Sequence, residues 1–196
     1  MSRKYRIACL VITVFFTLTM ISSFALPLDY QPVGWLKAGS HPQEYETGVD
    51  KKVFHDGKSS AYIKSAKDEP EGFSTLMQSF SAEKYLGKRI RFAGYVKTEG
   101  VEGWAGLWMR VDTRTRQAAS FDNMMNRKIH GTLDWKRYEV VLDVPDESVN
   151  ISLGILLHGK GKAWIDSIKF EVVPKSVPTT NLQNKNIEPQ NLGFDD

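Results

Sequence analysis

Beyond Cys9 the chain has no cysteine, so a disulfide, a cysteine nucleophile and a thiolate metal centre are all excluded from the body of the protein. Its four histidines, His41, His55, His130 and His158, stand singly rather than at metal-ligand spacing, and no H-E-x-x-H occurs. No G-x-S-x-G elbow is present either: Gly72-Phe73-Ser74-Thr75-Leu76 lacks the second glycine. Phosphate-cradling glycine runs are missing, because Gly159-Lys160-Gly161-Lys162 falls between two strand-like stretches without the helix that a phosphate loop needs. Helical periodicity is nearly absent, and long apolar runs are confined to the N-terminus. With the familiar catalytic signatures gone, the expectation is a non-catalytic protein.

The one long apolar run, residues 7–26, follows Arg3, Lys4 and Arg6 and ends near Ser23-Phe24-Ala25, a small-x-small cleavage pattern. Residues 1–25 therefore read as an export signal. The run also approaches the roughly 20 residues that span a bilayer, so an uncleaved membrane anchor is the alternative. Cys9 comes too early in it for lipid attachment. Residues 1–25 hold three basic and no acidic side chains, so the net charge of +3 falls to zero without them. A neutral body carries no signature for nucleic acid, and membrane contact is expected only through the N-terminal segment. The expected location is extracytoplasmic, periplasmic or secreted, where a cysteine-free monomer must be stabilised by its core alone.

What is present is alternation. From Val53 onward the apolar period is two, broken at short intervals by turns such as His55-Asp56-Gly57-Lys58, Glu99-Gly100-Val101-Glu102-Gly103 and Val144-Pro145-Asp146-Glu147. Residues 60–64, 74–80, 89–98, 104–112, 118–124, 136–144, 150–158 and 163–173 read as eight strands, and the fold class is all-β: an antiparallel β-sandwich of jelly-roll type. A helical turn is expected only near residues 81–86, with Ser81 as its cap. The domain is placed at residues 28–175. Residues 176–196, rich in Asn, Gln, Pro and Thr, read as a flexible polar tail, with docking of Leu192 and Phe194 on the domain or on a partner as the alternative.

The stretch GWAGLWMRVD, residues 103–112, raises the functional question. As a strand it puts Ala105, Leu107, Met109 and Val111 on a core face, and Trp104, Gly106, Trp108, Arg110 and Asp112 on the other. The preceding strand sorts Ile90, Phe92 and Val96 inward and Arg89, Arg91, Ala93, Tyr95 and Lys97 outward. Joined by a short turn, the two are expected to pair as a hairpin with Lys97 opposite Trp104, Ala93 opposite Trp108 and Arg91 opposite Arg110, and with an acid such as Asp122, or a ligand, between the arginines. Aromatic planes beside charged and amide groups suit a sugar, whose C–H face stacks on rings and whose hydroxyls need fixed partners. Trp104, Trp108 and Tyr95 are the candidate platform, and Arg91, Arg110, Asp122 and Asn123 the candidate rim. The ligand is then a carbohydrate or a similar polar small molecule. Two alternatives use the same residues: a protein-interaction or envelope-structural module, since Trp, Tyr and Arg also anchor protein interfaces, and a glycan hydrolase resting on Asp112 and Asp122.

VFHDGKSSAYIKS, LDWKRYEVVLDVP and ISLGILLHGKGKAWIDSIKFEVV, in that order, resemble galactose-binding-domain-like jelly rolls, many carbohydrate-binding modules among them. GWLKAGSHPQEYETGVD, GFSTLMQSF, GKRIRFAGYVKT, GWAGLWMRVD and FDNM resemble a bacterial domain found alone or attached to DNA-binding regulators of the arabinose-regulator type. The resemblance runs over residues 33–178 and implies a jelly-roll binding domain, with a relative of a regulator's sensor domain as a further alternative. The export leader favours an extracytoplasmic binding role over a regulator's. Related jelly rolls often hold a structural calcium, for which the resemblance points to Glu46, Asp50 and Asp166.

Overall fold

The computed structural model describes residues 31–181. The expected export segment, residues 1–25, and the tail's end with Leu192 and Phe194 lie outside the described residues. Nine strands form one antiparallel sheet that folds over into a sandwich: β1 (Leu36–Gly39), β2 (Tyr45–Asp50), β3 (Ser60–Ser65), β4 (Phe73–Ser81), β5 (Arg89–Thr113), β6 (Ala118–Asp122), β7 (Ile129–Asp143), β8 (Ser148–His158) and β9 (Lys162–Val173). Two short 3-10 turns, Pro42–Glu44 and Glu83–Tyr85, are the only helical pieces among the described residues. The second falls where a helical turn was expected, and Ser81 Oγ accepts the Glu83 amide at 3.2 Å.

The strand order is β1-β4-β8-β5-β9-β3-β2, with β6 and β7 also paired to β5. The largest departure from expectation is β5 itself, 25 residues long, which absorbs both halves of the anticipated hairpin. Its first half pairs with β9 and β7, so that Lys97 faces Trp164 and Arg91 lies between Val141 and Glu171. Its second half pairs with β8 and β6: Trp108 faces Gly154, and Arg110 lies between Ser152 and Phe121. The residues read as a reversing turn, 99–103, instead carry the chain across the β8–β9 turn, with Gly100 at φ +57° and the Glu102 amide donating to the Lys160 carbonyl at 3.1 Å. A Cβ on Gly103 would lie 2.0 Å from the His158 carbonyl oxygen, so only glycine permits this passage.

Two layers result. Layer A holds β1, β4, β8, the second half of β5, and β6; layer B holds β2, β3, β9, the first half of β5, and β7. Between them the expected inward sets meet: Ile90, Phe92 and Val96 from one half of β5 and Ala105, Leu107, Met109 and Val111 from the other, all buried against Ile63, Leu76, Val140, Leu142, Ile155 and Leu157. Burial of this apolar surface is the main stabilising term, at roughly 25 cal/mol per Å². The strands at residues 36–39 and 45–50 were not anticipated. The first is four residues long, and the second turns Thr47 inward and needs Gly48 because the Tyr62 ring lies against it. Residues 176–181, assigned above to the polar tail, are tied to the domain: Thr180 bonds Val141 through its amide and hydroxyl, Arg89 Nη1 donates to the carbonyls of Lys175 and Val177, and Asn181 Oδ1 accepts the Phe121 amide.

Two ion pairs tie the layers' margins. Asp122, fully buried, accepts both arms of Arg127 at 2.6 and 3.0 Å and the Met124 amide at 2.8 Å, while Arg127 Nη2 also reaches the Glu139 carbonyl on β7. Replacing Arg127 with Met leaves that carboxylate buried and unpaired, and should cost about 3 kcal/mol, lowering the melting temperature by roughly 6–12 °C in a thermal scan. Across β3, Asp50 Oδ2 accepts Trp164 Nε1 at 2.9 Å and Lys162 Nζ at 3.3 Å. Burial alone would raise the Asp50 pKa, but Trp164, the Lys52 and Val53 amides and Lys162 outweigh it and hold it at about 2, against an ordinary 3.8. A depressed folded value stabilises the protein above the ordinary pKa, and that contribution is lost as pH falls toward 2. Asp50→Asn should therefore melt below wild type at about pH 5, with the difference vanishing near pH 2.

Candidate functional site

The outer face of layer A is concave and carries the candidate site. On β5, alternation sends Trp104, Gly106, Trp108, Arg110 and Asp112 to this face, where Thr75 and Met77 of β4, Gly154 and Leu156 of β8, and Phe121 of β6 join them. Trp108 stands opposite Gly154, whose missing side chain lets the indole reach over β8 to β4. There its Nε1 donates to Thr75 Oγ1 at 2.7 Å, and Thr75 Oγ1 in turn donates to the Ile155 carbonyl at 2.8 Å. Glycine is demanded twice at 154, since a Cβ would also sit 2.3 Å from the Leu76 carbonyl oxygen of the adjoining strand.

The ring divides the face into two hollows. One, of about 370 Å³, is walled by Ala38, Gly39 and Phe73 on one side and by Trp108, Phe121 and Asn123 on the other, with Leu156 at its floor. The second, of about 510 Å³, runs from Trp108 past Arg110 and Asp112 to the β5–β6 turn, with Asn150 and Ser152 beside it. Met77, Trp108 and Arg110 line both, so the two make one cleft. Arg110 is held along it: Nε donates to Asp112 Oδ1 at 2.6 Å and Nη2 to the Arg116 carbonyl at 2.8 Å. A larger hollow of about 700 Å³ opens at the end of the sandwich beside Glu83, Asp146 and Glu147; it has no aromatic ring in its lining.

The seven anticipated site residues thus divide. The structure brings Trp108, Arg110 and Asn123 together in the cleft. Trp104 shares the face but not the cleft wall; it is half-buried, with the Lys128 ammonium 5.6 Å from the ring centroid. Arg91 and Tyr95 belong to layer B, because their half of β5 never pairs with the half carrying Trp108. There Arg91 is bound to Glu171 at 2.9 Å, and Tyr95 is stacked under His55 at a centroid separation of 3.7 Å, so that ring face is already covered. Asp122 points to the core, opposite Met109, where Arg127 neutralises it. Sequence reasoning missed Thr75, Met77, Phe121 and Leu156. Their outward parity was readable in their own strands, but the neighbour order β4-β8-β5-β6 was not.

The same geometry separates the acid pair proposed for hydrolysis: Asp112 lies on the outer face in an ion pair with Arg110, and Asp122 on the inner one. No bond in a bound glycan can sit between them. The three carboxylates named for calcium do not converge either. Glu46 pairs with Lys64 at 2.9 Å, Asp50 with Lys162 and Trp164, and Asp166 accepts the amides of His55 and Asp56 at 2.7 and 3.0 Å. Among the described residues no three acidic, histidine or cysteine side chains group as metal ligands, and the Lys162 ammonium stands beside Asp50 where a cation would have to be.

No family model matches the chain. Over 167 residues, 83% of this chain, it is 47% identical to the uncharacterized HTH-type transcriptional regulator YbfP of Bacillus subtilis (strain 168), and it spans 57% of that relative's length. Among solved structures it is similar to the CBM22-1 xylan-binding domain of Paenibacillus barcinonensis Xyn10C, at TM-score 0.52 and 15% identity over 74% of this chain and 88% of that one. The C-terminal family 22 carbohydrate-binding module of Clostridium thermocellum Xyn10B follows at TM-score 0.51 and 12% identity, covering 71% and 86%. The enzymatically active domain of bacteriophage CBA120 tailspike protein 4 gives TM-score 0.55 at 11% identity, over 72% of this chain but 20% of that one. The described residues share the antiparallel β-sandwich fold of carbohydrate-binding modules, and in sequence the chain is similar to part of an HTH-type regulator.

Proposed function

We propose that the chain is a non-catalytic module that binds a carbohydrate in the cleft on the outer face of layer A. The observation that carries this reading is the Trp108 ring, fixed by its Nε1 bond to Thr75 at the junction of the two hollows. A fixed ring provides a stacking plane for a sugar's C–H face without the entropy of ordering a free side chain. Arg110, Asn123, Asn150 and Ser152 supply donors and acceptors for hydroxyls along the same cleft. The fold shared with xylan-binding and family 22 modules supports the reading. A stacked ring and a few hydrogen bonds amount to micromolar to millimolar affinity, about −4 to −8 kcal/mol. We locate this binding outside the cytoplasm, a reading supported by the basic-then-apolar N-terminal segment.

The test is a glycan-array screen of wild type beside Trp108→Ala. Wild type should bind one sugar class, and the variant should lose at least about tenfold in affinity while melting cooperatively. Thr75→Val, which keeps the ring but removes the acceptor of Nε1, should fall between them and lose about 1–3 kcal/mol of stability. A folded wild type that binds no glycan would overturn the reading and direct attention to a protein partner on the same face.

A further inference from the structure

The second hollow carries a charge pattern that a neutral sugar does not call for. Its lining includes Arg110, Arg114 and Arg116 against one acid, Asp112. Elsewhere in the described residues every arginine meets a carboxylate: Arg89 with Asp143, Arg91 with Glu171, Arg127 with Asp122 and Arg137 with Glu139. At the cleft only Arg110 does, through Nε to Asp112, and its Nη1 makes no hydrogen bond among the described residues. The guanidinium groups of Arg114 and Arg116 have no hydrogen bond or ion pair there either. Arg116, and Arg114 at the boundary with the larger hollow beside Glu83, Asp146 and Glu147, thus stand unpaired at one rim of the proposed binding cleft.

The turn carrying Arg114 and Arg116 is fixed by its own backbone bonds. In the turn joining β5 to β6, Arg116 adopts φ +61°, the left-handed region that favours glycine or asparagine, and its amide donates to the Thr113 carbonyl at 2.9 Å. Its own carbonyl faces the cleft and accepts Arg110 Nη2, so the strained residue both orients one arginine and contributes a second. The turn sets this backbone conformation, and it leaves the exposed Arg116 side chain on the cleft lining.

We infer that the cleft receives a glycan bearing a carboxylate, a uronate-type sugar, with Trp108 under the ring and Arg110, Arg114 and Arg116 facing the anion. This deepens the glycan-binding reading and rests on it. Guanidinium forks match carboxylate geometry and bind it by charge-assisted hydrogen bonds, stronger than those to neutral hydroxyls. No bond is made or broken, and the acids that might cleave one face away from each other.

Tetragalacturonate and its fully methyl-esterified form carry the same rings and differ in the anion, so titrating both into the full chain isolates the charge. Wild type should bind the free acid about tenfold or more tightly than the ester, an advantage that shrinks with added salt. Arg114→Gln combined with Arg116→Gly should erase that advantage and leave ester binding unchanged. Relief of the left-handed strain should keep its melting temperature at or above that of wild type. Trp108→Ala should lose both ligands. Equal wild-type affinity for acid and ester, or acid binding that survives loss of Arg114 and Arg116, would overturn the anionic reading and leave glycan binding standing. Failure of both galacturonides alongside a neutral hit on the array does the same, whereas silence there as well removes the glycan reading itself. Inorganic polyphosphate competing as well as tetragalacturonate, and unaffected by Trp108→Ala, would make this an anion site without a sugar.

Discussion

The structure depends on one close passage, where β5 crosses the turn between β8 and β9. The β8–β9 hairpin is split between the layers, with β8 on one half of β5 and β9 on the other. That is possible only if β5 bends over the turn at van der Waals distance. Gly103 lies against the His158 carbonyl and Gly161 against Val101, and a Cβ on either would come within 2.7 Å of backbone. Val101 itself is buried at the bend and belongs to the core. Because the crossing fixes which strands flank each half of β5, it also fixes what surrounds Trp108: Gly154 beside it and Thr75 one strand further on.

From this crossing follows the division of labour between the two halves. Alternation runs inward and outward along each half, so each half offers an outer face with an aromatic ring and arginines. The first half's face is closed by the protein's own groups. The loop between β2 and β3, held by amide bonds to Asp166, lays His55 on Tyr95, and Glu171 takes Arg91. The second half's face has no such cover. Trp108 is fixed from one side by Thr75 and open toward two hollows, and the β5–β6 turn adds cations rather than carboxylates.

The fold was legible in the sequence because alternation is a local property. The inward sets of both halves of β5, the strands at 74–80, 150–158 and 163–173, and the sandwich class itself could be read from parity and turns. What parity does not carry is neighbour order. Glu99-Gly100-Val101-Glu102-Gly103 has the composition of a reversing turn, and only the equal claims of β8 and β9 on the two halves of β5 turn it into a bend. That single error moved Arg91 and Tyr95 to the wrong face. Asp122 was misplaced for a different reason: a carboxylate at the end of a strand reads as exposed, and nothing local shows that Arg127, five residues on, folds back to neutralise it inside.

The same residues bear on the alternative of cleavage by Asp112 and Asp122. Glycoside hydrolysis needs two carboxyl groups on either side of one bond, about 5–10 Å apart across a shared cavity. Here the two acids near the cleft are consumed structurally. Asp112 orients Arg110, and Asp122 is sealed behind the sheet with Arg127. What remains in the cleft is the fixed Trp108 ring, the rings of Phe73 and Phe121, aliphatic, amide and hydroxyl groups, and the arginines, of which Arg114 and Arg116 have no carboxylate partner. None of these groups exchanges a proton near neutral pH, since a guanidinium stays charged and amides and hydroxyls do not titrate there. On the proposed reading, groups of this kind recognise a ligand by ring shape and by charge.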